Sequence, residues 1–151
     1  MKRIVLLFLF TISAIVSKAQ ANADDEQRIS MLRSFYTAYM SAFSAPDEPP
    51  HHFEEVLTAL RKKYLTAKCQ KQFRKLVNET DADPVIGAQD SDAEWAKTLS
   101  FKKGPKNDGT YIVSYYDNEY GADKKMHKVV TTIKLRVVQE KSGFKIDYIF
   151  N

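Results

Sequence analysis

Three helices followed by a curved four-stranded antiparallel sheet, an α+β domain, is the fold the sequence predicts, and a change of period predicts it. Apolar residues recur at three- and four-residue spacing as far as residue 77, as in an amphipathic helix; from residue 97 onward they recur at every second position, as in a strand. Between the halves lies DADPVIGAQDSDAEW, residues 81–95, which fits neither period and crowds five carboxylates, a proline, a glycine and the only tryptophan.

The chain opens MKRIVLLFLFTISAIVSKAQANADDE. Lys2 and Arg3 precede an apolar run from Ile4 to Val16, the layout of a secretory signal peptide. That run is shorter than the roughly 20 apolar residues of a membrane span. Small residues favour cleavage after Ala19 or Ala21, and no cysteine nearby marks a lipid anchor. The expectation is an exported protein of the periplasm or extracellular space, with residues 22–151 as one domain and no transmembrane span in the mature part. Residues 1–21 hold Lys2, Arg3 and Lys18 and no acid, so the 23 basic and 19 acidic residues of the chain become 20 and 19 in the mature part. Near neutrality argues against nucleic-acid binding.

Residues 24–44 place Ile29, Leu32, Phe35, Tyr36, Tyr39, Met40 and Phe43 on one helical face, with Asp24, Asp25 and Glu26 at the start, where acids suit the helix dipole. The prolines of APDEPPHH end that helix. Phe53, Val56, Leu57 and Leu60 resume the helical period, with an end between Arg61 and Tyr64. Thr66 is the expected N-cap of a third helix from Ala67 to about Asn78, whose apolar face is Leu65, Cys69, Phe73, Leu76 and Val77. The lone cysteine, Cys69, excludes an intramolecular disulfide and reads as a buried apolar residue.

In the acidic stretch, Asp83 precedes Pro84 and is biased to an extended conformation that would end the third helix. Val85 and Ile86 would pin the turn to the core, Gly87 would take a backbone angle other residues resist, and Asp90 or Ser91 would cap a short turn leading to Trp95. Four strands follow, Lys97 to Lys103, Thr110 to Asp117, Lys125 to Glu140 and Phe144 to Phe150, joined as hairpins by KGPKNDG, NEYGAD and EKSG. Val129, Thr131, Ile133, Leu135 and Val137 form the drier face of the third. Phe144, Ile146, Tyr148 and Phe150 repeat the alternation in the fourth, which leaves Asp147 facing solvent.

The run YLT before a helix, then DADPVIGAQD and a tryptophan, then the closing GFKIDYI, resembles a bacterial family of exported proteins catalogued as domain of unknown function 3828. Helices ahead of long antiparallel strands resemble the cystatin-like fold of the nuclear transport factor superfamily. The likeness covers about residues 30–150, and Ala67 stands where that family often has a proline, a change that costs little in a first helical turn. The resemblance implies a first helix laid across the concave face of the sheet, a pocket between them and, by analogy, a homodimer. That superfamily holds isomerases, dehydratases and non-catalytic binding modules, and it carries no catalytic residue over to this chain.

The residues themselves exclude several chemistries. An EF-hand loop fails from Asp81, where Val85 and Ile86 fall at the fifth and sixth positions, and from Asp90, where Trp95 falls at the sixth. Asp81, Asp83 and Asp90 remain as a looser cation set, outweighed by a hinge whose acids cap and solvate. His51 and His52 beside Glu54 and Glu55 are too few donors for zinc, with His127 far along the chain. No GxSxG, HExxH or phosphate-binding glycine loop is present. The basic run Arg61, Lys62, Lys63, Lys68, Lys71, Arg74 and Lys75 reads first as a solvated helix face and second as a surface for an acidic partner or an anionic envelope surface.

The function expected is that of a small exported binding or inhibitory module of the cell envelope, an immunity protein being one form, with an unidentified protein or small ligand as partner. No catalytic residue, metal or cofactor is assigned; Tyr36, Gln89, Asp90, Trp95 and Tyr115 are the expected ligand contacts at the pocket mouth. The competing reading is a pocket enzyme, an isomerase or hydrolase acting on a small hydrophobic substrate. It needs an ionisable group set in an open concavity, and Tyr36, Tyr39 and Phe43 filling that concavity would remove it.

Overall fold

The computed structural model describes residues 2–45, 52–106 and 108–150; within the first helix, side chains are described at residue 20 and from residue 22 on. Among the described residues four helices, α1 (Lys2–Phe43), α2 (His52–Tyr64), α3 (Ala67–Thr80) and the short α4 (Ala93–Lys97), precede four strands, β1 (Ser100–Lys103), β2 (Thr110–Tyr120), β3 (Met126–Glu140) and β4 (Gly143–Phe150). The strands form one antiparallel meander in the order β1-β2-β3-β4. The fold class is therefore α+β, with the helices on one face of an open sheet. No helix among the described residues is long and apolar enough to cross a membrane.

The helical period does what it predicts: Leu32, Phe35, Tyr36, Tyr39 and Met40 of α1 are fully buried against Tyr111, Val113, Tyr115, Ile133, Leu135 and Ile146 of the sheet. One of the acids near residue 25 has a role the sequence did not suggest. Asp25 accepts hydrogen bonds from the Tyr111 hydroxyl and the Lys103 ammonium, both at 2.6 Å, and ties α1 to β1 and β2.

Thr66 caps α3, its hydroxyl accepting from the Cys69 amide at 3.1 Å. Cys69 is buried, and burial pushes its thiol up to about 12, which leaves it an unreactive packing residue. The end of α3 corrects the sequence reading. The helix stops at Asp81, which adopts a left-handed conformation (φ 54°) and returns its amide to the Val77 carbonyl. Asp83, two residues on, is extended as expected but bridges Ala88.

The first strand also starts later than its pattern implied, because Lys97 ends α4 and Ser100 begins β1. In β4 the alternation fails midway. Arg136 pairs with Tyr148 and Val137 with Ile146, so Asp147 is an extra residue in a bulge and the buried positions become Ile146 and Ile149. Asp147 does not face solvent: it accepts from Thr66, Lys68 and Arg136, and these partners hold its carboxyl below the usual range although partial burial opposes them.

Two stretches of the sheet's edge are covered by the chain itself. α3 covers β4, where the Gln72 side-chain amide donates to the Ile149 carbonyl at 2.7 Å and accepts from its amide at 3.1 Å. On β2, the Thr98 hydroxyl accepts from the Tyr116 amide at 2.9 Å just beyond the last β1 pair, Ser100 with Ser114.

Candidate functional site

The acidic stretch folds into a compact turn whose parts follow from its residues. Gly87 takes φ 71°, which its lack of a side chain permits. The Asp83 carboxylate accepts from the Val85 amide at 2.7 Å, and the Gly87 amide donates to the Asp83 carbonyl at 2.7 Å. Val85 and Ile86 are fully buried, as the sequence implied. The cap of the following short helix is Asp92, whose carboxylate accepts from the Glu94 amide, rather than Asp90 or Ser91; Ser91 shares a 2.7 Å hydrogen bond with Ser44.

Asp83 is not one of the solvating acids that the sequence suggested. It lies in a mostly buried position, where the Tyr39 hydroxyl donates to it at 2.6 Å, and Arg61 in turn donates to the Tyr39 oxygen at 2.9 Å. Arg61 continues to Glu54 at 2.5 Å and Thr58 at 2.9 Å, with its guanidinium 4.7 Å over the Phe73 ring. This chain crosses α1, α2 and the acidic turn. Burial raises the Asp83 carboxyl above its ordinary value, although Tyr39, the Val85 amide and Arg61 oppose the shift. Burial and the Asp83 charge push the Tyr39 phenol far up, so it stays protonated and can only donate to the carboxylate.

Two clefts flank the relay. One, of about 270 Å³, lies between the turn and the sheet and is lined by Asp83, Pro84, Gly87, Thr132, Ile133 and Phe150, among others. The other, of about 330 Å³, lies between α2 and α3 and is lined by Glu54, Thr58, Arg61, Gln70, Phe73 and Arg74. Tyr39 and its two hydrogen bonds join the wall of one to the wall of the other.

The five residues expected at a pocket mouth do not meet in one. Tyr36 is fully buried, and its hydroxyl has no protein partner; Trp95 stacks on Tyr115 at 4.7 Å between ring centroids, and the Tyr115 hydroxyl donates to the Ile86 carbonyl. Gln89 and Asp90 are exposed on the turn. Tyr36 and Tyr39 fill the space between α1 and the sheet, with Phe43 half-buried at its edge. Among the described residues no group of three or more His, Cys, Asp or Glu side chains is arranged to hold a metal. His127 pairs with Asp123 at the β2–β3 turn, away from His52 on α2, and His51 lies outside the described residues.

The basic run is divided by the fold. Arg61 belongs to the buried relay, Lys68 meets Asp147 and Lys75 meets Glu79, while Lys62, Lys63, Lys71 and Arg74 are exposed on α2 and α3.

No family model and no curated protein matches the chain. Among solved structures it is similar to a protein of unknown function from Bacteroides thetaiotaomicron VPI-5482, with 30% sequence identity and a TM-score of 0.73, over 93% of this chain and 99% of that one.

Proposed function

The chain belongs to the same family as that Bacteroides protein of unknown function, and from that premise we propose that it is a small exported binding module of the cell envelope. The observation that carries this reading is the filled concave face. A pocket enzyme of this architecture needs a reactive group in an open cavity between helix and sheet; here Tyr36, Tyr39, Trp95 and Tyr115 occupy that space. The buried ionisable relay of Asp83, Tyr39 and Arg61 is spent on holding the turn to α1 and α2.

Export rests on the leader, a basic pair followed by an apolar run. Membership of the family catalogued as domain of unknown function 3828, within the nuclear transport factor superfamily, is part of the same proposal. Its support is the built turn at DADPVIGAQD, the most specific element of the likeness. The surface offered to a partner is the basic side of α2 and α3, where Lys62, Lys63, Lys71 and Arg74 are exposed beside the cleft lined by Arg61 and Gln70. Its charge suits an acidic protein or ligand.

The test is a native pull-down from envelope extract, with mass spectrometry of retained proteins and small molecules, repeated with Lys71 and Arg74 changed to Glu. A retained partner that the reversed charges release supports the reading. Retention of a small molecule alone, turned over on incubation, would replace it with the enzyme.

A further inference from the structure

The β2–β3 hairpin outgrows its own sheet. β1 pairs with β2 only up to Ser114, and β4 pairs with β3 only from Lys134. Tyr116 to Tyr120 pair with Met126 to Val130 alone and form an arm; the outer edge of β3 stays without β4 as far as Ile133. One face of that arm exposes Tyr116 (45%), Tyr120 (76%), Met126 (53%) and Val130 (59%).

The two outer edges of the arm differ. The β2 edge is capped at Tyr116 by Thr98 and then carries Asp117 and Glu119, charges that discourage strand addition. The β3 edge has no strand, side chain or loop bonded to it among the described residues. Its sequence from residue 129 to 133 is VVTTI, five β-branched residues without proline or charge. Such an edge is a template for another strand.

We propose that this edge pairs with the same edge of a second copy, joining two sheets across a two-fold axis. An antiparallel pairing of this kind places one residue opposite itself and keeps opposed side chains on one face. With Val130 on the axis, Met126 of the second copy would fall opposite Lys134, where Phe150 already sits. With Lys128 on the axis, two ammonium groups would face each other. Val129 on the axis avoids both faults. It opposes Lys128 to Val130, His127 to Thr131 and Met126 to Thr132, and no like charges are matched between Met126 and Thr132.

The cleft under the acidic turn supports the same arrangement. Thr132 and Ile133 line it together with Asp83, Gly87 and Phe150. The Val129 register brings Met126 of the second copy opposite Thr132 and Lys125 opposite Ile133, so a basic hairpin tip meets a cleft with a carboxylate in its wall. The corresponding self-pairing of the β2 edge, centred on Asn118, would set Asp117 against Glu119.

The experiment is sedimentation equilibrium of the purified protein, with amide hydrogen exchange measured at high and low protein concentration. A dimer is expected, with protection gained on concentration by amides of residues 126–133 and not by those of 116–120. Val130→Lys changes an exposed side chain and sets lysine against Lys128 of the second copy twice, so it weakens association at least roughly tenfold while leaving the unfolding transition in place. A monomer at every concentration would overturn the proposal, and so would a dimer that Val130→Lys leaves intact.

Discussion

β2 and β3 run through two different environments. Near Thr110 and Arg136 their inner face carries Tyr111, Val113, Tyr115, Ile133, Leu135 and Val137, all buried under α1 and the acidic turn; toward Tyr120 and Met126 the same two strands are exposed. The ladder of hydrogen bonds is continuous across both. What changes is the cover. A strand pair with helices on one face gains apolar burial, whereas a bare two-stranded ribbon is at best marginally stable by itself. The arm is held in place by the body, and substitutions should separate the two accordingly.

The largest effect is expected in the body. Trp95→Ala removes the ring stacked on Tyr115 and leaves a cavity between α4 and β2, which should cost about 3–5 kcal/mol in denaturant-induced unfolding. A cost below about 1 kcal/mol would mean that α4 does not cover the sheet as described.

Two tyrosines of α1, one turn apart, give a smaller and more discriminating contrast. Tyr39→Phe leaves the mostly buried Asp83 without its 2.6 Å donor and removes one of the three acceptors of Arg61, at a cost of about 1–3 kcal/mol. Tyr36→Phe deletes a buried hydroxyl that has no protein partner and should be neutral or stabilising by up to about 1 kcal/mol. Equal effects in the two variants would break the assignment of the relay to Tyr39.

Acid titration of stability separates the carboxylates by sign. Asp147 has a lowered folded value, so the stability it contributes is present above the unfolded value of about 3.9 and is lost as pH falls through the folded one. Asp83 has a raised folded value, so its contribution is present below about 3.9 and is lost as pH rises through the folded one. Asp83→Asn should therefore gain on the parent protein as pH rises through the acid range, and Asp147→Asn should fall behind it. Parallel profiles for the two variants would contradict the difference in burial and pairing between the two sites.

Periodicity made the body legible: the buried face of α1, the Thr66 cap, the buried Cys69 and the inner face of β3 all follow from spacing. The bulge at Asp147 was hidden because a period-two pattern is satisfied by Phe144, Ile146, Tyr148 and Phe150 until pairing shows that one residue is extra. The buried role of Asp83 was hidden for another reason. Its partners Tyr39 and Arg61 lie 44 and 22 residues away, and no local rule links an acid in a turn to a tyrosine on a distant helix. Asp-Pro gave the extended backbone but not the burial. The expected contacts Tyr36, Trp95 and Tyr115 were aromatic residues of the core, which composition alone does not distinguish from a lined pocket.

The smallest stability effect belongs to the arm. Tyr120 is 76% exposed and pairs with Met126 at the last position of the ladder. Tyr120→Ser removes aromatic surface that no helix covers, so global unfolding should change by no more than about 0.5 kcal/mol. Amide exchange in residues 116–120 should nevertheless quicken, because cross-strand side-chain contacts are the main local support of a two-stranded ribbon. A loss of global stability comparable to that of Tyr39→Phe would mean that the arm is packed against something in solution. In a protein that also sediments as a dimer, that dependence would point to the tyrosine face of the arm, rather than its β3 edge, as the surface between copies.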